Sequence, residues 1–328
     1  MGIPRAVRQP QGVKVRQTAA ARLRSAWPAS LAERLERAQA LDRPVSALAD
    51  RAVHALPPGR RTDALHGVPF GQPAHPALVQ VPFGCWTSSL LLDRFGGPAA
   101  ARAATVLAAA GVLAALPAAA TGLADWSALH QHQQRVGFVH AAVQAGATAL
   151  FAGSLLARLA GRPAKERLLA VGGLALASAG AYLGGHLALR LGAGASHAES
   201  IDHLAPLGWH ELCPVDDLPE GRPVRRQLGY LSLLAVRDQG RVYVLSDHCS
   251  HLGGPLHQGR VVTIHGIPCV TCPWHGSTFA LRDGGVRHGP ATARQPAFET
   301  RVSAEGRVEV RPRTATRTTV RRTTAAAG

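Results

Sequence analysis

The sequence predicts an α-helical membrane domain of four transmembrane helices followed by an all-β domain. Three observations carry this expectation. Three runs of 22 residues, at 103–124, 136–157 and 168–189, contain no Asp, Glu, Lys or Arg, and each is long enough to cross a bilayer. Beyond residue 205 the pattern changes to short β-branched and aromatic segments separated by glycine-containing turns. Two segments that pair a thiol with an imidazole, Cys249-Ser250-His251 and Cys272-Pro273-Trp274-His275, lie inside that stretch. The chain divides into a basic, partly helical segment at 1–74, the membrane domain at 75–190, a linker at 191–204, the all-β domain at 205–311 and a basic, disordered tail at 312–328.

The first segment holds twelve Lys or Arg and five acidic residues and begins without the apolar core of a signal peptide. Ser30-Leu31-Ala32-Glu33 has the form of a capping box and opens a helix to about Leu41. Asp42 with Pro44 starts a second helix to about Leu56. Basic amphipathic helices beside apolar spans are expected on anionic headgroups of the lipid bilayer. The net charge of +16 would also suit nucleic acid, but no recognition motif accompanies it. No nucleic-acid partner is expected.

A fourth apolar run, 76–92, precedes the other three. Gln80 and Pro82 weaken it, and Asp93-Arg94 ends it. Gly180 with Gly184, and Gly173 with Ala177, form small-xxx-small pairs that allow close helix packing in lipid. With alternating helix direction, His75, Asp125, His140 and His186 fall at the same face of the membrane, the face that bears the all-β domain. Ionisable groups at such depths are costly and often functional. The four are candidate residues of a haem b or quinone site, with His140 and His186, at matching depth, as the expected ligands of a haem b or contacts of a quinone headgroup. Four spans put both termini on one side. The basic residues between spans argue for one orientation, and the twelve cations of the first segment argue for the other. The expectation is a multi-pass cell-membrane protein with the all-β domain in the cytoplasm.

In the all-β domain, strands are expected at 209–213, 231–237, 242–245, 261–264, 269–271, 278–280, 298–302 and 307–310. Asp238-Gln239-Gly240, Asp283-Gly284-Gly285 and Glu305-Gly306 supply turns. Cys213 and Cys269 read as strand core residues, and Cys85 lies in an apolar run, so no disulfide framework is expected. By residue type, Cys249, His251, Cys272 and His275 suit a zinc ion or a two-iron cluster with two thiolates on one iron and two imidazoles on the other.

The residues around these donors resemble a known family. Cys-Ser-His-Leu-Gly-Gly-Pro-Leu and Cys-Pro-Trp-His-Gly-Ser-Thr-Phe are similar to the cluster-binding loops of Rieske ferredoxins and of the Rieske domains of oxygenases. The resemblance covers roughly residues 207–311 and implies a [2Fe–2S] cluster on Cys249, His251, Cys272 and His275, with Gly254, Pro255, Ser277 and Phe279 around it. The gap between the arms is longer than is usual in the family, and the extra length is expected in a hairpin around 260–267. Rieske proteins of cytochrome bc complexes carry a disulfide between the loops. Gly253 and Trp274 stand at those positions here, which suits a reducing compartment. High-potential members have a tyrosine where this chain has Phe279. The phrases Leu65-His66-Gly67, His75-Pro76, Thr121-Gly122-Leu123-Ala124-Asp125-Trp126, Val139-His140 and Tyr182-Leu183-Gly184-Gly185-His186-Leu187 resemble an uncharacterised bacterial family of four-helix membrane domains, with Gln72 as a departure.

Together these features suggest a membrane-anchored one-electron carrier, an oxidoreductase-type component exchanging electrons with an unknown redox partner protein, with a membrane haem or quinone, or with an oxygenase in trans. A Rieske oxygenase needs a further domain with a 2-His-1-carboxylate iron, and with only the basic tail after the all-β domain no independent oxygenase is expected. A redox sensor or assembly factor that reads cluster state is the alternative.

Overall fold

A computed structural model describes residues 29–313; residues 1–28, and the expected disordered tail from residue 314 on, lie outside the described residues. Four helices form the membrane domain: α5 (Gln80–Phe95), α6 (Gly97–Ser127), α7 (Gln131–Leu159) and α8 (Pro163–Gly185). They are preceded by α1 (Ala29–Glu36), α2 (Asp42–Ala55), α3 (Arg60–His66) and the single turn α4 (His75–Leu78). A wide π turn, His186–Arg190, extends α8, and a short α9 (Ile201–Leu204) leads into the all-β domain.

Among the described residues three helices, Gly97–Ser127, Gln131–Leu159 and Pro163–Arg190, are long and apolar enough to cross a membrane. The first expected span differs. It is divided at Val79 into α4 and the 16-residue α5. At 1.5 Å per residue α5 is about 24 Å long, short of a hydrocarbon core of about 30 Å. Pro82 lacks the N–H group that a continuous helix would need there, whereas Pro76 lies in the first turn of α4, where none is needed. The small residues of α8 face α7: a side chain at Gly173 would strike Phe151, and one at Gly180 would strike Gln144.

The basic N-terminal helices also differ from expectation. Their apolar faces pack on protein. Ala32 joins a buried cluster with Val136 and Leu183, and Val45 and Ala49 join one with Trp126. Arg135, buried at the start of α7, donates to both carboxylate oxygens of Asp42 at 2.6 and 3.0 Å and to the Glu36 carbonyl at 2.6 Å. The Glu36 carbonyl is thereby occupied from outside. α1 ends there, short of the expected Leu41, and a separate 3₁₀ turn covers Gln39–Leu41.

The C-terminal domain has ten strands in two antiparallel sheets. β1 (His210–Pro214), β2 (Val224–Leu228), β3 (Leu231–Asp238), β4 (Arg241–Ser246), β9 (Ala297–Val302) and β10 (Arg307–Pro312) form one in the order β1-β10-β9-β4-β3-β2. β5 (Arg260–Ile264), β6 (Ile267–Thr271), β7 (Thr278–Ala280) and β8 (Val286–His288) form the other in sequence order. One core fills the larger sheet around Leu233, Val244 and Val308. A second, around Leu234, Leu245, Val270 and Phe279, lies between the sheets. The β5–β6 turn holds His265 and Gly266 at φ of 48° and 76°, the two left-handed residues of a type I′ hairpin. β2 and β8 were not legible beforehand. β2 is the edge strand Val-Arg-Arg-Gln-Leu with little apolar alternation, and β8 has three residues.

Candidate functional site

Two loops at one tip of the β domain have the same backbone design. The Cys249 N–H donates to the Gly254 carbonyl at 2.9 Å, and the Gly253 N–H returns to the Cys249 carbonyl at 2.8 Å. In the other loop the Cys272 N–H donates to the Ser277 carbonyl at 2.8 Å, and the Gly276 N–H returns to the Cys272 carbonyl at 3.2 Å. Gly253 and Gly276 close these turns at φ of 75° and 79°, conformations that disfavour a Cβ. The tight turns aim backbone N–H groups inward. Those of His251 and Leu252 point at the Cys249 sulfur, and those of Trp274 and His275 at the Cys272 sulfur.

The two sulfurs are buried neighbours within hydrogen-bond reach of each other. The hydrogen bond to Cys272 and burial raise the Cys249 thiol well above its usual range, while the same hydrogen bond pulls Cys272 down to about 7. Beside them the rings of His251 and His275 meet edge to face with centroids 5.1 Å apart. Burial lowers His251 to about 3 and His275 to about 4, so both imidazoles are neutral, the form that ligates metal. Among the described residues no three His, Cys, Asp or Glu groups converge on a single ion position. Two cysteine sulfurs side by side and two imidazoles side by side fit a two-iron cluster better than a tetrahedral zinc.

Buried polar groups hold the loops. The Gln295 side chain accepts from the Ser250 N–H at 2.9 Å and donates to the Ser246 and His248 carbonyls at 2.8 and 2.7 Å. Asp247 receives the His257 N–H at 2.8 Å and the Ser232 hydroxyl at 3.0 Å. The buried Ser277 hydroxyl accepts from the Ala291 N–H at 2.9 Å, which leaves its own O–H free to donate. A Cβ on Gly254 would lie 2.8 Å from the Cys272 sulfur. Pro255 pairs its backbone with His248 across the first loop. Phe279 is fully buried in one core with Cys249 and Cys272. Cys213 and Cys269 are buried thiols whose ionisation burial disfavours, and all five cysteines are free.

Residues 208–299 match the Rieske [2Fe–2S] domain. The 3-phenylpropionate/cinnamic acid dioxygenase ferredoxin subunit of Escherichia coli (strain K12) is 33% identical over 81 residues, which are 24% of this chain and 72% of that protein. The chain belongs to the Rieske [2Fe–2S] family. Its Rieske domain is also 33% identical over 94 residues to human apoptosis-inducing factor 3, covering 29% of this chain and 15% of that protein. The chain thus spans only a small part of that relative's length. Among solved structures, the putative NADH-dependent nitrite reductase small subunit from Mycobacterium tuberculosis aligns at 27% identity and a TM-score of 0.31, covering 34% of this chain and 98% of that one. Residues 71–197 match a second family, described as a predicted membrane protein, DUF2231. The Rieske domain implies a [2Fe–2S] cluster.

The tip of the Rieske domain rests on the membrane domain. His130, the residue before α7, lies 5.3 Å from the Trp274 ring and 5.7 Å from the His275 ring between centroids. Burial and the neighbouring His132 hold His130 below the usual histidine range. His66 at the end of α3 is close enough to His251 to act on its charge. The Ser250 carbonyl accepts from the His197 N–H at 2.9 Å. Asp63 of α3 accepts from the His288 ring and from the Gly289 N–H, both at 2.9 Å. These residues were missed in the sequence. Asp63 and His66 sit in what reads as a basic N-terminal segment, and His130 in what reads as an interhelical loop. His66 is visible only as part of the Leu65-His66-Gly67 phrase.

The expected group of four membrane residues is not a single constellation. His186 donates to Glu36 at 2.8 Å, and Asp125 accepts from His66 at 2.9 Å, so both are engaged with the N-terminal helices. His75 and His140 do come together, with ring centroids 6.4 Å apart. The reason for the split is the N-terminal helices themselves, which cover that end of the bundle with acidic and histidine side chains.

Proposed function

We propose that the chain is a membrane-anchored one-electron carrier whose cluster is held by Cys249 and Cys272 on one iron and by His251 and His275 on the other. When bound, the cluster supplies a reversible Fe(III)/Fe(II) couple. The protein's own residues do the rest. The inward N–H groups stabilise negative charge on the sulfurs, and Gln295 and Asp247 hold the first loop rigid. The single observation that carries the reading is the docking of the cluster tip on the membrane side, where the His275 ring lies 5.7 Å from the His130 ring and His66 is close enough to act on the charge of His251. An electron leaving through either imidazole enters the membrane domain. α4 with α5 completes a four-span anchor in this reading, thin at its first span, and both termini face the cytoplasm. The acceptor or donor is a membrane haem or quinone, or an oxygenase partner in trans. The last is suggested by the dioxygenase ferredoxin subunit among the relatives.

The test is the EPR spectrum of the full-length protein, purified in mild detergent and reduced with dithionite. A Rieske signal is expected, lost in Cys249→Ser and Cys272→Ser because iron–sulfur chemistry needs the soft thiolate. Cys269→Ser should keep it. A Cys249→Ser protein with an unchanged signal would overturn the ligand assignment.

A further inference from the structure

The membrane domain is one helical hairpin built twice. Residues of α4–α5 correspond to residues of α7 at an offset of 65, and residues of α6 to residues of α8 at an offset of 62. Four matched contacts define this. The His75 ring donates from Nδ1 to the Ala118 carbonyl, and the His140 ring to the Gly180 carbonyl, both at 2.8 Å. The Ser89 hydroxyl donates to the Ala104 carbonyl at 2.8 Å, and Ser154 to the Glu166 carbonyl at 3.0 Å. Gly111 makes room for Trp86 as Gly173 does for Phe151, and Gly122 for His75 as Gly184 does for His140. Counterparts also meet each other. Trp86 stacks on Phe151 at 4.4 Å and 5°, Asp93 pairs with Arg158, and His75 meets His140. Contacts between counterparts along the whole length of the helices place a pseudo-two-fold axis along the bundle.

The two histidines sit on that axis, at the end where the Rieske domain docks. Their surroundings fix their chemistry. A carbonyl can only accept, so Nδ1 carries the proton in both rings, and in its neutral form each ring keeps a lone pair on Nε2. Neither Nε2 has a hydrogen-bond partner among the described residues. The ring seats are built, because a Cβ at Gly122 or Gly184 would come within 2.8 or 3.2 Å of the ring it faces. One helical turn from His140, the buried Gln144 Oε1 also lacks a partner. A bare ion would find two ligands and no third His, Cys, Asp or Glu beside them among the described residues. A centre that brings its own equatorial ligands needs only two axial ones. Two imidazoles bonded through one metal at roughly 2 Å each put their ring centroids about 6 Å apart, and the observed separation is 6.4 Å.

We propose that His75 and His140 are the two axial ligands of a b-type haem on the pseudo-two-fold axis. The site itself stands on the geometry of the membrane domain; only its role as partner of the cluster rests on the electron-carrier reading. In that role one electron moves, one iron going from Fe(II) to Fe(III) and the other from Fe(III) to Fe(II), with no bond made or broken. The route is short. From Ala118, beneath His75, to Asp125, the partner of His66, is about 10 Å along α6 at 1.5 Å per residue.

The experiment uses full-length protein in detergent, as purified and after titration with hemin. A low-spin haem spectrum with one haem per chain is expected. His75→Ala and His140→Ala should each lose the low-spin spectrum while keeping the Rieske EPR signal, which also reports folding. His186→Ala should change neither. His140→Met should retain haem with a raised potential, since methionine ligation favours the ferrous state. Absence of haem in both preparations, or a low-spin spectrum that survives in the double alanine variant, would overturn the proposal. A haem without a Rieske signal would sink the carrier reading alone, and a Rieske signal without haem would sink this one alone.

Discussion

At the scale of single residues, the environment of the sulfurs decides the potential. The reduced cluster carries more negative charge, so each donor aimed at sulfur raises the potential. Four backbone N–H groups point at the two cysteine sulfurs, and Ser277 retains a free O–H. Phe279 fills the same core without a donor. A midpoint in the lower half of the Rieske range of about −150 to +300 mV is expected by protein-film voltammetry. Phe279→Tyr should raise it on the order of 50 mV, close to a tenfold change in a one-electron equilibrium. A midpoint near the top of the range, or a tyrosine variant with no shift, would count against this account.

At the scale of elements, α3 is the strut between the two domains. It is seven residues long, yet Asp63 holds the Rieske strand end at His288 and Gly289 while His66 holds Asp125 at the end of α6. Asp63 is largely buried, so removing it leaves the part-buried Gly289 N–H without its acceptor, at a cost of about 1 kcal/mol. Asp63→Ala is expected to speed backbone hydrogen exchange across 286–292 while leaving the β3–β4 core protected. Unchanged exchange at 286–292 would mean that α3 does not secure the docking.

At the scale of the whole molecule, orientation is the open consequence. The cluster tip, the N-terminal helices and the His75–His140 pair share one end of the bundle. Whichever side that end faces, all three face it together. With the Rieske domain proposed in the cytoplasm, a C-terminal reporter that works only in the cytoplasm should be active and a periplasm-dependent one silent. The reverse result would invert the protein and leave the shared end intact.

The sequence by itself determined the local chemistry. Charge-free runs of 22 residues can satisfy their backbone in lipid only as helices, and the Cys/His arms with their glycines specify loops that few other functions need. Strands with clear alternation, such as β3 and β4, were legible for the same local reason; the polar edge strand β2 and the three-residue β8 were not, because their neighbours in the sheets define them. Tertiary structure alone decided which groups meet. Asp63 and His288 are 225 residues apart, and Arg135 reaches back 93 residues to Asp42. It also separated His186 and Asp125 from the other two histidines by giving each a closer partner. The repeat in the membrane domain is faint in the sequence, since Trp faces Phe and Asp faces Arg across the axis. Packing on a pseudo-two-fold axis requires complementary counterparts rather than identical ones, so only the folded bundle reveals it.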